Sequence, residues 1–239
     1  MVALPSFGSF SLPDPLERAR ARFERWLTRG GPRAYADTHD VALDLLAGAP
    51  PCRFLDLGAG RGDLSRRLHA LGHQVTAVER YVEQFDAPVP LVDADLNATW
   101  PFADGSFDAV AAVEILEHLE NPRWFFRELS RVLGPRGVAV VSTPNITTLL
   151  SKLLFVAVDQ WDLFFNHPWR LRDGYSTAVQ GHITPLPAWL LAHHARDAGL
   201  EVEAFGYSRA WLPGVPWRLN PLPSSAAFGR ILLVRLRKR

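Results

Sequence analysis

The sequence predicts an α/β protein built on one seven-stranded, mostly parallel sheet with helices packed against it. Three observations carry that expectation. Short apolar runs of strand character alternate along the chain with longer stretches of helical periodicity, as crossover helices between parallel strands require. The run Phe54-Leu55-Asp56-Leu57 leads into a glycine-rich turn, Gly58-Ala59-Gly60-Arg61-Gly62, and the turn opens a helix. A chain of 239 residues that is 48% hydrophobic is large enough for one full core.

The elements follow in order. Residues 1–15 are rich in Pro, Ser and Gly and read as a loose arm. Asp14-Pro15 is an N-cap followed by proline at N1, so a helix is expected to about Thr28, stopped by Gly30-Gly31-Pro32. A second helix is expected over Tyr35–Leu46. Phe54–Leu57 is the first strand, Ser65–Leu71 a helix, and Gln74–Val78 the second strand. Pro88 and Pro90 leave little room for a long crossover helix before a third strand, Leu91–Leu96, with an acidic tip. A turn over 100–108 precedes a fourth strand, Ala109–Ile115, and a helix, Arg123–Leu133. Gly134-Pro135-Arg136-Gly137 turns into a fifth strand, Val138–Ser142.

Residues 146–182 fit no unit of such a sheet. They carry Phe155, Trp161, Phe164, Phe165, Trp169 and Tyr175, together with Arg170, Arg172 and His182. An insertion after the carboxyl end of a strand lies where α/β sheets bind ligands, so this one reads as a lid over an acceptor pocket. An oligomer or membrane-surface contact is the alternative for Leu153–Val158. A helix over Pro187–Gly199, a sixth strand over Val202–Tyr207, a proline-rich loop over 211–225 and a seventh strand over Ile231–Leu236 complete the chain. Arg237-Lys238-Arg239 reads as a solvated basic tail. One domain is expected: arm and helices over 1–49, a cofactor-binding core over 50–145, the lid insertion over 146–185, and the C-terminal helix and strands over 186–239.

Strand, glycine turn and helix form the nucleotide-handling corner of a Rossmann-like sheet. Glycines there allow sharp turning and close ligand approach, and the helix presents its N-terminal N–H groups. The glycines stand at alternate positions after an acidic residue, Asp56-x-Gly58-x-Gly60-x-Gly62, and not in the dinucleotide spacing. Glu79 lies 17 positions beyond Gly62, where a carboxylate accepts from ribose hydroxyls. A solvated strand end is the alternative.

D-x-G-x-G-x-G resembles motif I of the class I S-adenosylmethionine-dependent methyltransferases. The series P-F-x-D-G-S-F-D, L-E-H-L, E-L-x-R-V-L-x-P-x-G and S-T-P-N, over about residues 50–205, resembles the methyltransferase-11/23 branch of that class. The resemblance implies S-adenosylmethionine held by Asp56, Gly58, Ala59, Gly60, Gly62 and Glu79. It further implies adenine gripped at Asp95-Leu96, with Asp93 as second choice, and Glu114 along the methionine end. It also implies that the last strand inserts antiparallel between the fifth and sixth.

Glu114-x-x-Glu117-His118, with His182 downstream, resembles the E-x-x-E-H plus distal His metal site of small-RNA 2′-O-methyltransferases. Ubiquinone-pathway O-methyltransferases have a similar arrangement. Glu114, Glu117, His118 and His182 are therefore candidate ligands for Mg²⁺, Mn²⁺ or Zn²⁺, which would lower the pKa of an acceptor hydroxyl. Glu117, His118 and His182 are the candidate catalytic residues. The alternatives are His118 acting alone as base or capping the next helix, and a lid hydrogen bond from His182.

A net charge of +1 and the absence of an extended basic face argue against duplex nucleic acid. The single cysteine, Cys52, fits a reducing, cytoplasmic compartment and a packing role. No signal peptide or membrane span is visible. The expected activity is methyl transfer to a small-molecule acceptor, by preference at a hydroxyl oxygen. A metal-dependent RNA 2′-O-methyltransferase and a non-catalytic cofactor-binding regulator are the alternatives.

Overall fold

The computed structural model describes residues 37–47, 50–159, 161–164, 181–209 and 222–239. The expected first helix, over 15–28, lies outside them, as do Phe165, Trp169, Arg170, Arg172 and Tyr175 of the lid. The described helices are α1 (Thr38–Leu46), α2 (Asp63–Ala70), α3 (Pro122–Val132), α4 (Leu149–Val158) and α5 (Ala188–Asp197). The strands are β1 (Arg53–Leu57), β2 (Gln74–Val78), β3 (Leu91–Val92), β4 (Phe107–Ala112), β5 (Leu133–Pro144), β6 (Leu200–Tyr207) and β7 (Ile231–Lys238).

They form one sheet in the order β3-β2-β1-β4-β5-β7-β6. β1 to β5 pair in parallel, and β7 runs antiparallel between β5 and β6. The chain steps outward from β1 through β2 to β3, then returns to β4 on the other side of β1. That reversal opens a crevice at the carboxyl ends of β1 and β4, the place where α/β sheets bind ligands.

Side-chain alternation along the strands divides the core between the two faces. Leu55, Leu57, Val110 and Val141 point to one face, where Phe125, Phe126 and Leu129 of α3 and Leu191 of α5 cover them. Phe54, Ala109, Val138 and Val140 point to the other, under Leu64 and Leu68 of α2 and Ala42 and Leu46 of α1. α3 starts where Asn121 accepts the Trp124 N–H at 3.0 Å and Pro122 takes the first turn. The P-F-x-D-G-S-F-D turn is pinned to α3 by Arg131. Its guanidinium ion-pairs with Glu128 and Asp104 and donates to the carbonyls of Trp100 and Phe102.

Several boundaries differ from the sequence expectation. α1 begins at Thr38, with Asp37 before it; residues 35 and 36 of the expected helix lie outside the described residues. β3 has two residues, because Asp95 caps a turn by accepting the Asn97 N–H at 2.9 Å, so Asp93 and Asp95 lie beyond the strand. β4 ends at Ala112, and Glu114 follows in a left-handed conformation, φ 57°, that no strand continues. β5 starts at Leu133, which pairs with Phe107 across an irregularity in register. β7 runs on to Lys238, so Arg237 and Lys238 of the expected basic tail are strand and Arg239 alone lies beyond it. Arg235 and Arg237 ion-pair with Glu203 on β6, and the Lys238 ammonium donates to the Leu133 carbonyl at 2.6 Å.

Candidate active site

The glycine corner sits at the end of β1. The N–H groups of Gly58 and Ala59 both donate to the Val78 carbonyl at 2.9 Å, tying the turn to β2. Gly58, Gly60 and Gly62 all have positive φ. A Cβ on Gly62 would lie 2.6 Å from Ala87 Cβ, and one on Gly58 would lie 2.8 Å from Ile115 Cδ1. A Cβ on Gly60 would meet nothing within 4 Å. The loop therefore packs tightly at its two ends and opens at its middle, where a ligand approaches the backbone.

Asp56 lies beneath this loop. It is buried and accepts from Ser65 Oγ at 2.5 Å, bracing α2 against β1. Burial raises its carboxyl to about 6, the Ser65 hydroxyl opposing the shift. Glu79, just past β2, accepts the Gly60 N–H at 2.7 Å through one oxygen and the Arg80 and Tyr81 N–H groups through the other. It thus stands beside the open middle of the loop. Asp95 reaches Arg80 at 2.8 Å; the Asn97 N–H is the main cause of its low carboxyl pKa. Leu96 is buried beside it, and Asp93 is exposed.

After β4 the chain carries Glu114 and a short 3₁₀ turn, Leu116–His118. The Glu114 N–H donates to Ser142 Oγ at 2.8 Å, and that hydroxyl donates to Glu114 Oε1 at 3.1 Å. Ser142 thereby clamps the left-handed residue from the neighbouring strand. Burial pushes the Glu114 carboxyl up to about 7, against the pull of Ser142 and Arg230.

Glu117 is fully buried, and among the described residues neither carboxylate oxygen makes a hydrogen bond of full geometry, although the Thr143 hydroxyl acts to lower its pKa. Burial, and then the nearby Glu114, push its pKa well up. Its backbone carbonyl accepts the Ile183 and Thr184 N–H groups at 2.8 and 3.0 Å, which brings the segment after the lid onto the turn. The rings of His118 and His182 meet edge-on, with centroids 4.9 Å apart. His118 Nδ1 faces the Gly181 carbonyl at 3.2 Å, and His182 Nδ1 faces the Leu163 carbonyl at 2.6 Å. His182 Nε2 lies 4.0 Å from Glu117 Oε1. Burial lowers both imidazoles, His182 to about 4 with His118 adding to the shift. Glu117, His118 and His182 each place one donor atom within 4.8 Å of the others. Glu114 stands outside this group, turned to Ser142.

The sequence of this chain matches the family described as "Methyltransferase domain" over residues 55–141. It is 32% identical over 211 residues to the ubiquinone biosynthesis O-methyltransferase of Xanthomonas euvesicatoria pv. vesicatoria, covering 79% of this chain and 80% of that one. The chain belongs to the class I S-adenosylmethionine-dependent methyltransferases. The enzyme of the same name from Xanthomonas campestris pv. campestris is 34% identical over 162 residues, which cover 60% of this chain. The chain spans 66% of the length of that relative. Among solved structures, a Thermotoga maritima methyltransferase described as a possible histamine N-methyltransferase superposes with a TM-score of 0.61. It is 17% identical, with 94% of this chain and 98% of that one covered, so it shares the fold.

As in other methyltransferases of this class, S-adenosylmethionine is the cofactor, and the open loop at Gly60 beside Glu79 fits it. The cluster also fits a divalent cation. A buried carboxylate without a partner is costly as an ion, and a cation would satisfy it. Two imidazoles that donate Nδ1–H to carbonyls turn Nε2, the lone-pair nitrogen, toward the same space. Three residues at this site escaped sequence reasoning. Ser65 and Ser142 carried a signal, each a small polar residue at a core-facing position of a helix or strand. Asp162, buried against Arg230 at 3.1 Å, carried none within the lid.

Proposed function

We propose that this methyltransferase transfers a methyl group to a hydroxyl oxygen of a small-molecule acceptor, at the cluster of Glu117, His118 and His182. The observation that carries the reading is the fully buried carboxylate of Glu117, without a hydrogen bond of full geometry among the described residues, beside two histidines anchored through Nδ1. It lies at the crevice where the sheet reverses direction, on the turn after β4. The relatives named as O-methyltransferases support oxygen as the acceptor atom.

The bound cofactor supplies an electrophilic methyl group on a sulfonium. Gly58 to Gly62 and Glu79 hold and orient it, with Asp95 and Leu96 at the adenine end and Glu114 at the methionine end. Glu117, His118 and His182 are the residues that would hold a divalent cation. Such an ion would lower the pKa of an acceptor hydroxyl. Without the ion, the Nε2 atoms of His118 and His182, both rings kept neutral by burial, are placed to take the hydroxyl proton; with it, those atoms serve as ligands. Phe164 packs edge-on against His182 at 5.3 Å and excludes water from that side. No helix among the described residues is long and apolar enough to cross a membrane. A cytoplasmic location is the reading that the single cysteine favours.

Calorimetric titration of S-adenosylhomocysteine, with chelator and then with added Mg²⁺ or Zn²⁺, tests the assignment. Binding in chelator, with a separate metal isotherm that Glu117→Gln abolishes, is the expected result. No nucleoside binding under any condition would overturn the reading.

A further inference from the structure

His182 owes its orientation to the carbonyl of a leucine in an unfavourable backbone conformation. Leu163 has φ 68°, a left-handed region that a non-glycine residue rarely adopts. Its carbonyl accepts from His182 Nδ1 at 2.6 Å. A kink of that kind persists only where its surroundings over-determine it.

The surroundings are on the page. Asp162, the preceding residue, is buried and pairs with Arg230 at 3.1 Å, side chains 6% and 12% exposed. The Asp162 N–H donates to Ser151 Oγ at 3.0 Å, and Ser151 is fully buried on α4. Arg230 is fixed in turn, because its carbonyl accepts the Asn145 N–H at 2.7 Å where β5 and β7 come together. A continuous line of contacts therefore runs from the sheet, through Arg230 and Asp162, to the Leu163 carbonyl and the His182 ring.

We propose that Asp162 and Arg230 are positioning residues that lock the Leu163 carbonyl and so hold His182 in its Nδ1–H tautomer, facing Glu117. This rests on the reading of Glu117, His118 and His182 as the reactive cluster. The pair reaches the cluster of Glu117, His118 and His182 through His182, and Arg230 separately bears on the Glu114 carboxyl. Its effect is to fix which ring nitrogen carries the proton before acceptor or cation arrives.

The test uses the full chain labelled with ¹⁵N-histidine, the His182 signals being assigned by their loss in His182→Gln. The wild type is expected to show a single Nδ1–H tautomer near neutral pH in chelator. Asp162→Asn should give a mixture of the two tautomers and weaken Zn²⁺ binding by about tenfold in calorimetry. S-adenosylhomocysteine affinity should stay unchanged. Arg230→Lys keeps the charge but loses the planar fork, and should fall between the two. If Asp162→Asn does not fold, Arg230→Lys decides alone. Unchanged His182 signals in a folded variant, even one with a lower melting temperature, would overturn the proposal and leave the pair as a structural anchor for α4. A wild type that binds no Zn²⁺, in variants of which the tautomer still shifts, would sink the cation reading and uphold the positioning role.

Discussion

Gly60 and Gly62 look alike in the sequence and do different work. The pro-chiral hydrogen of Gly62 faces Ala87 at a distance no methyl tolerates, whereas that of Gly60 faces open space. Gly62→Ala should therefore cost stability, about 2 kcal/mol, seen as a lower urea midpoint. Gly60→Ala carries only the left-handed backbone cost, about 1 kcal/mol, so it should destabilise less than Gly62→Ala yet lose S-adenosylhomocysteine affinity in calorimetry, because its methyl fills the approach to the loop. Asp56 makes a different prediction. Its folded pKa of about 6 lies above the ordinary 3.8, so the native state holds a proton that the unfolded state releases. Stability from this group is present below pH 4 and is lost as pH rises to about 6, by at most about 3 kcal/mol. Asp56→Asn should flatten the fall in unfolding free energy over that range; an unchanged slope would show that the Asp56 carboxyl is not perturbed. Glu117→Gln should lower turnover by about 100-fold with cofactor affinity intact. Full activity in this variant would make the carboxylate structural.

Among the elements, α3 and the turn before β4 depend on one side chain. Arg131 serves Glu128, Asp104 and two carbonyls, so Arg131→Leu leaves Glu128 buried without its cation and should cost about 2–3 kcal/mol in chemical denaturation. A cost near zero would show that water replaces the guanidinium. The same elements show what a sequence makes legible. The glycine corner was readable because strand, turn and helix are local and each glycine has a local reason. Glu117 and His118 were readable as neighbours because they share one turn. The end of β4 was not, since Glu114 is held in its left-handed conformation by Ser142, a partner on another strand. β3 was over-extended because apolar residues and an acidic tip suggest a strand, while the Asp95 turn that stops it is set by side-chain to backbone bonding. Arg237 and Lys238 looked like part of a solvated tail because their partners, Glu203 and the Leu133 carbonyl, are distant in sequence.

At the scale of the whole molecule, the seven-stranded order follows from a pattern of alternating strands and helices, but the place of β7 does not follow from pattern alone. Its apolar run, Ile231 to Val234, marks a strand covered on both faces but does not say which strands lie beside it. The family resemblance supplied the insertion between β5 and β6, and the register from Val138↔Arg237 to Pro144↔Ile231 shows it. That insertion has a consequence for synthesis. β5 is made well before β7, and among the described residues β6 pairs with the sheet through β7 alone. Until Ile231–Lys238 has been translated, the outer edge of β5 is a long row of unpaired N–H and C=O groups flanked by apolar side chains. β6 waits with nothing to join. The half-made protein therefore presents the kind of open strand edge that recruits other chains. On the ribosome, this enzyme is most exposed to aggregation in the interval between the two strands, and an association partner that shields nascent chains has most to do there.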